Sequence, residues 1–218
     1  MLKILILCLG CAGFLSCGGS KKVSEQLVLF FDPPSVNLDK EKAPDGGYPF
    51  KVQVRDLELN RLYDNSNVVM RSGDYTVKFS KRGLWAVRPN ITASGLLQET
   101  LKQNLKFRAL KERFSESSPD YIITGTVDNI EEDIRKEEGR SAALNLTLQI
   151  IRNTDDQIVF ERKYARLSPV TDLEGYGSLA KEFSVSLAEI YRLFIVDAVR
   201  VFNQELVAYN AKNDGKDQ

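Results

Sequence analysis

Ala142-Ala143-Leu144-Asn145-Leu146-Thr147-Leu148-Gln149-Ile150-Ile151 decides the fold, because Leu144, Leu146, Leu148 and Ile150 alternate with Asn145, Thr147 and Gln149. Successive side chains of a strand point to opposite faces, so this stretch reads as a strand covered on one face and wet on the other. Before it, Tyr121 to Ile130 carries Tyr-Ile-Ile-Thr-Gly-Thr-Val, and after it Gln157 to Leu167 carries Ile158, Phe160, Tyr164 and Leu167. Arg135 to Gly139 and Asn153-Thr154-Asp155-Asp156 connect the three as hairpin turns. The sequence therefore predicts an antiparallel meander that needs a cover on one face.

The cover follows at once. From about Ser178 to Tyr209 the residues Leu179, Phe183, Leu187, Ile190 or Tyr191, Phe194, Ala198, Phe202 and Leu206 form one helical stripe. Val185, Val196, Val199 and Val201 widen the stripe beyond the usual core-facing width; the first reading is a helix packed on the sheet, and the second is that part of it meets another subunit. A second helix is predicted from Pro89, which suits a first helical position, through Leu97, Leu101 and Leu105. Whether Phe107 to Phe114 prolongs it stays open, and Ser115 to Pro119 is a loop.

Working further toward the amino terminus, Phe50, Val52, Val54, Leu57 and Leu59 describe a half-buried strand with a break near Asp56. Asn67 to Arg71 and Tyr75 to Phe79 form a hairpin across Ser72-Gly73-Asp74. A further turn is expected at Lys81-Arg82-Gly83, before Leu84-Trp85-Ala86-Val87. Leu27-Val28-Leu29-Phe30-Phe31 is a short strand ahead of Asp32-Pro33-Pro34. The architecture expected is α+β: a largely antiparallel sheet packed against two helices, one of them long and C-terminal.

The chain of 218 residues has 30 Lys and Arg, 30 Asp and Glu, and no histidine. Zero net charge disfavours nucleic acid, whose binders carry excess positive charge. Without histidine there is no Ser-His-Asp or Cys-His catalysis and no His-ligated zinc. The carboxylates of Glu131-Glu132-Asp133 and Glu137-Glu138 are interleaved with Arg135, Lys136 and Arg140, and are read as a solvated turn rather than a cation site. Asp155-Asp156 is read as a tight turn, and Lys78, Lys81 and Arg82 as a basic cluster on a wet hairpin end. Scattered glycines make no phosphate-binding loop. Trp85, between strand and helix, is read first as packing against the helix and second as the candidate partner contact. No cofactor, metal or catalytic residue is expected.

Met1-Leu2-Lys3 followed by the apolar run Ile4 to Leu15 has the build of an export signal, too short for a bilayer core that needs ~20 residues. Phe14-Leu15-Ser16-Cys17-Gly18-Gly19-Ser20 resembles the bacterial lipoprotein processing site, which implies cleavage before Cys17 and acylation of Cys17; Cys11 is the rival point. The expected organisation is a signal peptide over 1–16, a tether over 17–25, a single domain over 26–209 with an irregular segment over 32–48, and a flexible tail over 210–218. Once Lys3 leaves with the signal, 29 basic residues face 30 acidic ones, so anchoring falls to the acyl chains.

The order Asn67-Val68-Val69-Met70-Arg71, Tyr75 to Phe79, Leu84-Trp85-Ala86 with Pro89, and Leu97 to Leu105 resembles the ABC-type transport auxiliary lipoprotein family. Pro119-Asp120-Tyr121-Ile122-Ile123 and the long terminal helix continue the pattern, which covers most of 26–206. Leu29-Phe30-Phe31-Asp32-Pro33 stands where that family usually shows Tyr-x-Leu followed by Pro. The resemblance implies a non-enzymatic lipoprotein on the periplasmic face of the envelope. Its partners would be an MCE-domain protein and an ABC permease in a lipid transport system, with self-association a further expectation. Gly18 in place of an aspartate after Cys17 points to the outer membrane. A second reading is a lipoprotein regulator of peptidoglycan synthesis or outer-membrane assembly.

Overall fold

The computed structural model describes residues 24–38, 42–135, 139–171 and 175–214. One long strand organises the sheet. β7 (Tyr121–Asp133; earlier strands are numbered below in chain order) is paired along one edge, antiparallel, with β8 (Arg140–Arg152), which in turn pairs antiparallel with β9 (Gln157–Val170). This is the predicted meander. Ala142, Leu144, Leu146, Leu148 and Ile150 are fully buried, while the residues between them stay part-exposed on the far face.

The other edge of β7 is shared by three short strands, all parallel to it. β2 (Tyr48–Val54) lies beside Tyr121 to Ile123, β3 (Glu58–Leu59) beside Thr126 and Val127, and β4 (Asn67–Gly73) beside Glu131 to Asp133. β6 (Phe107–Lys111) extends the sheet beyond β2 in parallel, β5 (Thr76–Trp85) pairs antiparallel with β4, and β1 (Glu25–Leu27) runs parallel to β5. The sheet is thus mixed, with its longest ladders antiparallel, and the fold is α+β with two helices.

α1 (Pro89–Asn104) starts at its proline and buries Leu97 and Leu101. It holds the break between β2 and β3: Leu57 donates its backbone N–H to Ser94 Oγ at 2.8 Å, and Asn90 Nδ2 donates to Leu57 O at 2.9 Å. α2 (Gly177–Asp214) lies over β8 and β9 and packs Leu179, Phe183, Leu187, Ile190, Phe194, Ala198 and Phe202 onto the sheet. It is helical as far as Asp214, beyond the Tyr209 boundary read from the sequence. Residues 30–38 have no regular secondary structure and are sewn down by Asn104, which accepts from Val36 N and donates to Pro34 O, each at 2.8 Å.

One open point is settled and three local expectations are corrected. Phe107 to Lys111 leaves the helix and becomes β6, because Leu105 takes an extended backbone at the helix end. No turn forms at Lys81-Arg82-Gly83: β5 continues through it, and the residues between Phe79 and Leu84 form a bulge against β4. Ser80 Oγ holds that bulge by accepting from Arg82 N at 3.1 Å and Gly83 N at 2.7 Å. The strand expected at Leu27 to Phe31 is instead Glu25–Leu27, although Leu29 stays buried past its end. Glu131-Glu132-Asp133 closes β7 rather than forming a wet turn.

Candidate functional site

Three arginine–carboxylate–tyrosine clusters join distant elements, and the same chemistry recurs in each. At the end of β7, Glu131 is only 2% exposed; it accepts from Arg71 Nη2 and Tyr63 Oη, both at 2.9 Å, and from Asn129 Nδ2 at 3.1 Å. Burial, then the bond to Glu131, pushes the Tyr63 hydroxyl up to about 12. At the opposite end, Arg152 and Tyr121 converge on Glu205 of α2. The guanidinium hydrogen bonds hold Glu205 below the ordinary glutamate range, and burial raises Tyr121. In the middle, Asp197 of α2 accepts from Arg162 Nη1 at 2.8 Å and Tyr164 Oη at 2.7 Å, and Arg162 stacks 5.2 Å over the Tyr164 ring. Burial again raises Tyr164.

A fourth cluster closes the end where the described chain begins. Glu132, also 2% exposed, faces Arg140 at 3.1 Å, and desolvation raises its carboxyl above the usual range. Arg140 also reaches Gly175 O and Ser178 Oγ and lies 5.8 Å from the Tyr176 ring centroid. The Tyr176 ring covers Gly83, and Ser80 Oγ donates to its hydroxyl at 2.8 Å. Glu25 Oε2 accepts from Tyr176 N at 2.7 Å. β1, the β5 bulge, β8 and the start of α2 are knotted together here.

A surface depression of about 630 Å³ opens at this end, lined by Asp74, Asp133, Arg135, Arg140, Leu167 and Val170 among others. Its two aspartates are both tied to Arg135, at 2.9 Å and 2.7 Å, and that guanidinium lowers Asp133. A carboxylate held by an arginine is a poor general base, because the charge partner stabilises its ionised form. These clusters are suited to fixing elements, and none pairs a nucleophile with a base. No group of three or more Cys, Asp or Glu placed to hold a metal occurs among the described residues.

Trp85 is 7% exposed and packs on Phe183 of α2, with ring centroids 5.8 Å apart. Its indole sits in the core and presents little surface at the junction where β5 hands over to α1. Asp155-Asp156 lies in the β8–β9 turn, with Asp156 at φ 55° and Asp155 paired to Arg152 at 3.0 Å. Cys17, with Cys8 and Cys11, lies outside the described residues, as do Glu137 and Glu138. Among the described residues no helix is long and apolar enough to cross a membrane.

A mixed sheet under one long helix is tied together by ion clusters that join distant elements. The chain belongs to the family of ABC-type transport auxiliary lipoprotein components, whose model matches residues 35–192. It is thereby a lipoprotein of the bacterial envelope, associated with ABC transport. No curated protein matches the chain. Among solved structures it resembles protein XCC0632 from Xanthomonas campestris, of family DUF330, with TM-score 0.63 and 15% identity over 79% of this chain and 96% of that one. An uncharacterized protein gives TM-score 0.51 and 13% identity over 78% and 95%. A putative lipoprotein from Caulobacter crescentus gives TM-score 0.40 and 8% identity over 69% and 92%. At these identities the likeness of the first two concerns the fold alone.

Proposed function

We propose that acylation of Cys17 tethers this domain to the periplasmic leaflet of the outer membrane. There it serves, by protein contact, an ABC-type lipid transport system built around an MCE-domain protein and its permease. The family match over 35–192 carries this reading. The clusters around Glu131, Glu132, Asp197 and Glu205 support it, because they invest the buried charge of the domain in rigidity. The contact surface is the last turns of α2, where Val207 is 71% exposed on a helix whose opposite side is core. Exposed aliphatic and aromatic side chains on a rigid helix suit a partner groove or a second copy of the chain. Trp85 contributes by fixing the corner between β5, α1 and α2 that orients this helix.

The test is a crosslinked pull-down of the acylated protein from membranes, with Val207→Glu as the comparison. Recovery of an MCE-domain protein and a permease with the wild type, and its loss with Val207→Glu, is the expected result. Recovery of a peptidoglycan synthase in their place overturns the transport reading in favour of the regulatory one.

A further inference from the structure

β1 runs parallel to β5, and this fixes where the tether leaves. Glu25 pairs with Gly83, Gln26 with Leu84 and Leu27 with Trp85, so the chain entering β1 comes from the same end of the sheet at which β5 begins. β5 begins at the tip of the β4–β5 hairpin, where Gly73 pairs with Thr76. The hairpin tip and the start of β1 therefore lie toward the same end of the sheet.

The lengths agree. From Asn67, level with Leu84, to Gly73 the hairpin advances six residues, or about 20 Å at ~3.3 Å each. From Gln26, also level with Leu84, back to Cys17 are nine residues, which extend to at most ~30 Å. A surface holding Cys17 is thus within reach of the hairpin tip, and the tether is too short to lift a domain about 40 Å across far above it.

The arm also has the composition of an element at a lipid interface. Tyr75 at the tip is 100% exposed, and Thr76, Lys78 and Phe79 are exposed in near succession, Phe79 at 51%. Val77 between them still packs against the core, so the exposed side chains project from an arm that the sheet holds in place. Among the described residues Lys78 and Lys81 make no ion pair, Arg82 is matched by Glu25, and the acidic tip residue Asp74 shares Arg135 with Asp133. Aromatic rings flanked by free lysines suit the headgroup region of an anionic bilayer. We infer that the β4–β5 hairpin is a second membrane contact: it rests Tyr75 and Phe79 in the interface of the leaflet that holds Cys17, with Lys78 and Lys81 on anionic headgroups. This rests on acylation at Cys17.

The experiment uses the acylated chain reconstituted in phosphatidylethanolamine–phosphatidylglycerol vesicles at 3:1. An environment-sensitive fluorophore is placed at Tyr75→Cys or, at the opposite end and edge of the sheet, at Ile158→Cys, and labelled palmitate is counted in the same samples. A lipid-borne nitroxide should quench position 75 at least about threefold more than position 158, and Lys78→Gln with Lys81→Gln should shrink that ratio toward one. Equal quenching at both positions in palmitate-bearing protein overturns the hairpin contact and leaves the anchor standing. Shielding of position 75 only on addition of a membrane protein assigns the arm to a protein partner and also overturns it. Absence of palmitate overturns the anchor, and this inference with it.

Discussion

Arg152 at the end of β8 and Glu205 on α2 face each other through two parallel hydrogen bonds, Nε to Oε2 at 2.8 Å and Nη2 to Oε1 at 2.7 Å. Tyr121 Oη adds a third to Oε2 at 2.6 Å. Bidentate guanidinium–carboxylate pairing combines charge with fixed direction, so this contact sets where the last turns of α2 lie over the sheet. Both side chains are largely covered, and removing the carboxylate leaves Arg152 with Asp155 alone as charge partner. Glu205→Ala should destabilise the domain by about 2 kcal/mol, read as a urea-midpoint shift at unchanged slope.

The same cluster sets an acid dependence with a definite sign. Glu205 is held below its ordinary range by Arg152, so its contribution is fully present above the unfolded glutamate value of about 4.3 and is lost as pH falls through the lower folded-state value. The stability difference between wild type and Glu205→Gln should be constant above about pH 5.5 and shrink as acid titrates the pair. Urea titrations at several pH values read this directly. A difference that grows on acidification would contradict the assignment.

Gly83 and Gly95 make a matched pair. A Cβ at Gly83 would stand 2.6 Å from Cδ1 and Cε1 of Tyr176, so Gly83→Ala must displace the ring and loosen its bond to Ser80. A Cβ at Gly95, inside α1, meets nothing within 4 Å. Thermal unfolding should show Gly83→Ala destabilised by about 1–3 kcal/mol and Gly95→Ala stabilised by about 0.5–1 kcal/mol.

Trp85 is the single tryptophan, and its burial against Phe183 makes it a reporter of the β5–α2 junction. Trp85→Phe should cost about 1–2 kcal/mol and Trp85→Ala about 3–5 kcal/mol, followed by circular dichroism. Membrane partners should be recovered normally with folded Trp85→Phe. Their selective loss with that variant would instead make the indole a direct contact.

Much of this fold was legible because one face of each main element is buried. The alternation from Leu144 to Ile150 and the fourfold spacing of Leu97, Leu101 and Leu105 are direct consequences of that burial. Pairing between distant strands was not legible, because three short parallel strands docking along β7 leave no local pattern. β6 was missed for a related reason: Phe107 to Lys111 is an edge strand with only partial burial and no clean alternation. The bulge after Phe79 read as a turn because Lys-Arg-Gly has turn composition, while the hydroxyl that straightens it belongs to Ser80.

The buried clusters were the least visible. Arg71 lies 60 residues from Glu131, and Arg152 lies 53 from Glu205. Acidic residues followed closely by Arg135, Lys136 and Arg140 look solvated until the fold brings Arg71 and Tyr63 onto Glu131. Two neighbouring glutamates that close a strand between two covered faces were the one local hint.

The account turns on the proposal that Cys17 holds the domain to the membrane, and labelled palmitate reads it directly. Wild type and Cys11→Ala should both incorporate the label, whereas Cys17→Ala should carry none and retain the circular dichroism of the folded domain. Palmitate persisting in Cys17→Ala would contradict the account.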